Sequence, residues 1–199
     1  MESLLSPKQS SQVRPLAPLQ HIPPMSARRL PHQFRFQLTA QWLTETYSPR
    51  KAADVGGGKG LLAYLLNQQG WEVTVIDPFN QDLPPKYKDL ESNKRILLPS
   101  STKVSRIDLP FEEEMSKDFD LLIGLHAHGS NIKIINSAAK YHKDFVLFPC
   151  CVIDEPVEIR SQVNWMDSLE EYAESLGLPI KKVKLNYVRQ STGLYTRLV

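Results

Sequence analysis

Seven consecutive residues, Asp54-Val55-Gly56-Gly57-Gly58-Lys59-Gly60, hold four of the nine glycines in this 199-residue chain. A regular helix or strand is a poor fit there, whereas a tight turn that lets a ligand meet bare backbone is a good one. Gly56, Gly58 and Gly60 are expected to take positive φ or to lie where a Cβ would strike that ligand. The turn follows a short strand and opens the helical spacing of Leu61 to Gln69, whose first N–H groups lack partners and face the same place. Glu72 to Asp77 reads as a second strand, ending in a carboxylate 21 residues after Gly56. That carboxylate is placed to accept both hydroxyls of a nucleoside ribose.

Three nucleotide-binding patterns compete for these glycines. A phosphate-cradling P-loop needs Lys followed by Ser or Thr, but Lys59 is followed by Gly60. The dinucleotide fingerprint wants Gly or Ala three positions after Gly58, where Leu61 stands; this weakens that reading and leaves it open. The third pattern, an acid followed by glycines at alternate positions (Asp54, Gly56, Gly58, Gly60), resembles the first motif of class I S-adenosylmethionine-dependent methyltransferases. The resemblance implies that the backbone near Gly56 and Gly58 meets the methionine part of S-adenosyl-L-methionine and that Asp77 holds the ribose. It also implies that Asp108, after the strand-like Lys103 to Ile107, hydrogen-bonds the adenine amine.

The chain is 41% hydrophobic and 23% charged, ordinary for one globular domain, and its net charge of +2 neither proves nor excludes a polyanionic partner. Its two cysteines are adjacent, Cys150 and Cys151, so no disulfide framework is available and a reducing cytoplasm is the natural setting. Residues 1–31 hold six prolines, no glycine, and Lys8, Arg14, Arg28 and Arg29 against Glu2 alone. This reads as a flexible or draped basic arm, either an inert tail or a segment that contacts phosphates or covers the cofactor. No stretch is apolar enough to serve as a signal peptide or to span a membrane.

Helical spacing of Phe34, Leu38, Trp42 and Leu43 predicts an amphipathic helix over 32–47, whose start (His32, Gln33, Arg35) either faces the site or is merely solvated. Residues 78–102 read as a long connection with at most a short helix around 86–93. Phe119 to Leu125 and Phe145 to Phe148 are nearly unbroken apolar runs, as strands buried on both faces require. Helices are predicted over 131–141 and 161–176, then two strands, 180–187 and 194–199, joined as a hairpin by a turn containing Gly193. Alternation of strand and helix predicts a doubly wound α/β sheet. With the terminal hairpin, it is similar to the seven-stranded Rossmann-like methyltransferase sheet, so residues 32–199 are read as the methyltransferase domain.

In such sheets ligands sit beyond the carboxyl ends of the strands, where His126-Ala127-His128-Gly129-Ser130 and Pro149-Cys150-Cys151 fall. Together with the glycine turn and Gly124-Leu125, these segments resemble the branch of class I methyltransferases marked by a Pro-Cys-Cys motif. That branch includes a tRNA ribose 2′-O-methyltransferase and methyltransferase-like proteins. The resemblance covers residues 50–155 and departs from several relatives in having His128 where they have Cys.

The resemblance implies that the two segments face each other beside the cofactor's methyl group. Arg35, Pro149, Cys150 and Cys151 are then expected to line the acceptor pocket, with His126 or His128 the proton acceptor or else a structural histidine. Two histidines two apart on an extended segment project to one side, so an N₂S₂ zinc site with the cysteines is conceivable, but no metal is expected. The function expected is methyl transfer from S-adenosyl-L-methionine to an O or N atom, with RNA the favoured acceptor. A small-molecule or protein acceptor and a catalytically silent partner subunit are the alternatives.

Overall fold

In the computed structural model, residues 28–152, 155 and 164–198 are described. The strands are β1 (Lys51–Val55), β2 (Glu72–Ile76), β3 (Lys86–Lys88), β4 (Arg95–Leu97), β5 (Ser105–Ile107), β6 (Leu121–Leu125), β7 (Asp144–Phe148), β8 (Lys181–Lys184) and β9 (Thr192–Tyr195). The α-helices are α1 (Arg35–Thr46), α2 (Leu61–Asn67), α3 (Asn131–Tyr141) and α4 (Trp165–Ser175). Short 3₁₀ turns precede α1 at His32–Phe34 and join β5 to β6 at Glu113–Asp118.

Seven strands form one sheet in the order β5-β2-β1-β6-β7-β9-β8. The inner pairs are parallel and β9 runs antiparallel to both β7 and β8, so the predicted seven-stranded α/β sheet with an antiparallel C-terminal strand pair is present. Every residue of β6 and β7 is buried. Their side chains alternate: Leu121, Ile123, Leu125, Val146 and Phe148 pack on one face with α1 and α2. Leu122, Phe145 and Leu147 pack on the other with α3 and α4. Each such side chain removed from water contributes about 1.5–3 kcal/mol, which fixes the sheet's position between two helical layers.

Helix ends follow local chemistry. The Asn164 side chain accepts the Met166 N–H (3.1 Å) at the start of α4. The chain leaves α3 through His142 in a left-handed conformation, φ +52°. Trp42 of α1 meets Tyr47, Phe148 and Tyr195 edge-on at 5.0–6.3 Å, locking the first helix to the C-terminal half of the sheet.

Two sequence expectations are corrected. The segment expected to hold a short helix near 86–93 is the antiparallel β3/β4 pair, so no α-helix links β2 to β5. Gly193, expected in the terminal turn, lies inside β9, which begins at Thr192. A Cβ there would stand 2.7 Å from the Leu147 carbonyl oxygen and 2.8 Å from the Phe148 ring, so glycine permits the close approach of β9 to β7. Most of the expected arm lies outside the described residues. Where description begins, Leu30 donates its N–H to Asn186 O and accepts the Val188 N–H (3.0 and 2.8 Å), packing this segment on the turn after β8.

Among the described residues, no helix is long and apolar enough to cross a membrane.

Candidate active site

Strand order reverses at β1, which has β2 on one side and β6 on the other. At the carboxyl ends of these strands lies a cleft of about 470 Å³, a size suited to a nucleoside-bearing ligand. Its walls include the glycine turn, Leu125 and His126 at the end of β6, Arg35 and Phe36 from α1, and Tyr87 flanked by Lys86 and Lys88 from β3. A second hollow of about 50 Å³ between α1 and Tyr87 has room for little more than water.

The glycine turn is held from below. Gly56 donates its N–H to Ile76 O (2.8 Å), and Gly58 donates to Asp77 Oδ2 (2.9 Å). Gly56 and Gly58 both have positive φ, +65° and +54°, which a side chain would strain. Gly57 is a matter of space: a Cβ there would fall 2.5 Å from Asp54 Oδ2. Gly60, φ +77°, precedes α2 and packs on Val104 and Val75, so its backbone serves the fold more directly than the cleft.

Asp54 is 1% exposed and its Oδ2 has no hydrogen-bond partner among the described residues. Burial pushes its pKa up to about 7; the Ala63 N–H pulls the other way, Asp77 adds to the rise, and Arg106 opposes it. A buried carboxylate oxygen without a partner is costly, and a cationic ligand group in the cleft offsets that cost.

Asp77 is also buried, with Oδ1 accepting the Phe79 N–H (2.9 Å) while Oδ2 takes Gly58. Each oxygen keeps a lone pair for a further donor. Asp108 lies outside the cleft walls, paired with Arg106 Nε at 3.2 Å. Arg106 itself is a residue that the sequence reading missed. Its Nη1 donates to Gly58 O (2.8 Å) and its Nη2 to Phe79 O (2.9 Å), so one guanidinium pins both the glycine turn and the segment after β2. The available signal was an arginine two residues before the expected adenine ligand on a neighbouring strand.

His126 has φ +62°, a left-handed conformation that costs a non-glycine residue about 1–2 kcal/mol. This bend breaks the extended geometry and sends His126 and His128 to different places. The His126 N–H donates to Phe148 O at 3.1 Å, and its Nε2 lies 3.2 Å from the Gln190 carbonyl oxygen. A carbonyl only accepts, so Nε2 carries the proton and Nδ1 holds the lone pair.

The His126 ring stacks on His32 at 5.5 Å. Burial, Arg35 and His128 lower its pKa, while the Gln190 carbonyl opposes the shift. His32 is lowered to about 4, mainly by burial, with Arg35, His126 and Arg189 acting the same way. His126 is thus a neutral imidazole at physiological pH, with a free lone pair at the cleft wall.

His128 lies instead beside Cys150 and Cys151, with Nε2 3.2 Å from Cys150 Sγ and Nδ1 3.3 Å from Cys151 Sγ. The conceivable N₂S₂ group of both histidines and both cysteines is therefore not assembled. Burial and the neighbouring Cys151 push the Cys150 thiol up to about 11, which disfavours it as a free nucleophile. Pro149 is buried at the end of β7. The structure thus brings Arg35, Asp54, Gly56, Gly58 and His126 to one cleft, with Asp77 directly behind, and gathers His128, Cys150 and Cys151 separately.

Comparison with known proteins gives two kinds of likeness. The Caenorhabditis elegans protein "Probable tRNA (uracil-O(2)-)-methyltransferase" is 34% identical over 104 residues, 52% of this chain and 17% of that protein. Its Caenorhabditis briggsae namesake is 33% identical over 103 residues, with the same coverage. The match thus spans about one sixth of the length of these curated relatives. A solved S-adenosylmethionine-dependent methyltransferase from Archaeoglobus fulgidus superposes with a TM-score of 0.50 at 14% identity, covering 82% of this chain and 94% of the other. No family model matches the chain.

Proposed function

We propose that this chain, which has the fold of the class I S-adenosylmethionine-dependent methyltransferases, is a methyltransferase that acts on an oxygen or nitrogen of RNA. One observation carries the reading: a glycine turn, a buried carboxylate with one unpartnered oxygen and a neutral histidine meet in a single cleft at the switch point of the sheet. When bound, S-adenosyl-L-methionine supplies an electrophilic methyl group on a sulfonium. The residues present fit it. Asp54 offers its free oxygen to a cationic group, Gly56 to Gly58 admit the ligand against backbone, and Asp77 has lone pairs left for ribose hydroxyls. Asp108 belongs at the adenine end.

In this reading His126 takes the proton of the acceptor hydroxyl or amine on Nδ1 as attack proceeds, and then releases it to solvent. His128, Pro149, Cys150 and Cys151 bound the acceptor side. Arg35, Lys59, Lys86 and Lys88 line the cleft, whose only acid among the described residues is the buried Asp54. That charge distribution favours a phosphodiester chain over a neutral metabolite. The names of the curated relatives, which specify tRNA, support the same acceptor.

The test is transfer of labelled methyl from S-adenosylmethionine into a cell lysate fractionated into RNA, protein and small molecules, with Asp54→Ala and His126→Ala as blanks. Label in RNA that both variants fail to deposit is the expected result. Label confined to another fraction discards RNA, and cofactor binding without any label removes catalysis from the reading.

A further inference from the structure

We propose that His128, Cys150 and Cys151 form a zinc site, in which one imidazole nitrogen and two thiolates hold Zn²⁺ where the chain leaves β6 and β7. These three are the only group of His, Cys, Asp or Glu among the described residues whose ligand atoms all converge within 4.8 Å.

The convergence follows from sheet register. β6 and β7 are parallel with Leu125 opposite Phe148, so residues two or three positions beyond each strand emerge at the same edge. The left-handed turn at His126 diverts that histidine to the Gln190 carbonyl and brings His128 round to the cysteines.

The distances suit the ion. With Zn–S near 2.3 Å and Zn–N near 2.05 Å, a tetrahedron has edges of about 3.8 Å between two sulfurs and about 3.5 Å between sulfur and nitrogen. The Sγ atoms stand 3.6 Å apart and each lies 3.2–3.3 Å from a ring nitrogen of His128. Nε2 faces Cys150 and Nδ1 faces Cys151, so a rotation of the His128 ring that turns one nitrogen toward both sulfurs seats the ion, with the three ligand atoms already within 4.8 Å of one another.

Both cysteines are free thiols and are partly accessible, so the ion has a route in. Two thiolates balance the charge of Zn²⁺, and binding releases two thiol protons to solvent. Three protein ligands is the number found where zinc keeps an exchangeable fourth position. Here the ion ties together the two segments proposed to bound the acceptor, but the site itself rests on the side-chain geometry and not on methyl transfer.

The experiment reads metal, not activity. The full chain, expressed with supplemented zinc and purified reduced, is analysed by elemental mass spectrometry alongside Cys150→Ser, Cys151→Ser and His128→Asn. About one zinc per chain is expected in wild type, falling roughly tenfold or more in each variant. Cobalt substitution of the wild-type chain is the second readout and does not depend on how the variants fold; tetrahedral d–d bands with thiolate charge transfer are expected. Wild type without stoichiometric zinc, folded variants that keep it, or a cobalt spectrum lacking thiolate charge transfer would each overturn the proposal.

Discussion

Oδ2 of Asp54 lies 2.5 Å from the point that a Cβ on Gly57 would occupy. The two residues therefore exclude one another's enlargement. Gly57→Ala is expected to cost about 1–3 kcal/mol of stability through overpacking and to weaken S-adenosylhomocysteine binding roughly tenfold or more. Gly58→Ala meets nothing within 4 Å, so its stability cost of about 1 kcal/mol comes from φ alone. Thermal denaturation of Gly57→Ala and of Asp54→Ala/Gly57→Ala checks this. If trimming Asp54 restores no stability, the clash is not the cause.

The pH dependence of stability should carry the signature of Asp54. Its folded pKa, about 7, exceeds the unfolded value of about 3.9, so folding takes up a proton between these limits. The favourable contribution is complete below the unfolded pKa and is lost as pH rises through the folded one, at up to about 1.4 kcal/mol per pH unit. His32 and His126, both lowered, act in the opposite sense, since they charge on unfolding in acid. A difference curve between wild type and Asp54→Asn cancels them. The Asn variant should gain on wild type by on the order of 2 kcal/mol between pH 5 and 8; a flat difference would mean that Asp54 ionises normally.

A neutral His126 predicts how rate follows pH. Its pKa is lowered, first by burial and then by Arg35, so kcat/KM should stay level above the ordinary histidine range and fall only in more acid solution. His126→Ala should lose about 10²- to 10⁴-fold in rate while retaining S-adenosylhomocysteine affinity. Arg35→Ala should move the acid limb upward. An unmoved limb in that variant, or near-normal turnover without His126, would reassign the base.

Asp144 tests the opposite end of the sheet. Its Oδ2 pairs with Arg50 at 3.0 Å, and its Oδ1 accepts from Thr196 Oγ1 (3.2 Å) and the Leu198 N–H (2.7 Å). Asp144→Ala strands the buried Thr196 hydroxyl and the partly buried Arg50 and Leu198 donors, and should cost about 2–4 kcal/mol, lowering Tm by roughly 5–10 °C. Because β7 begins there and the cleft lies beyond its other end, calorimetry at low temperature should find cofactor affinity within about twofold of wild type. A large affinity loss would show that the strand transmits the damage.

The features legible in the sequence were those set by local stereochemistry. Glycines at Gly56 and Gly58 announced positive φ, a carboxylate at the end of β2 announced Asp77, and apolar runs announced β6 and β7. Features made by distant contacts were not legible. Lys86-Tyr87-Lys88 and Arg95-Ile96-Leu97 are too short to show a period, yet they pair, and the first of them supplies part of the cleft wall. Arg106 reads as an ordinary strand cation until its two carbonyl partners come from different loops. The separate paths of His126 and His128 depend on one backbone torsion that no residue type there demands.

The insertion of β9 between β7 and β8 has a consequence for the order in which the protein can be made. β8 precedes β9 in the chain but has no place in the sheet without it. The turn between them carries the Gln190 carbonyl that holds His126 and the backbone that grips Leu30. A nascent chain still short of residues 192–195 therefore presents β7 as an open edge and His126 untethered. Completion of the cleft wall at His126 is thus coupled to the pairing of β9, and until then an unpaired strand edge carrying Phe145, Val146, Leu147 and Phe148 is available to other chains.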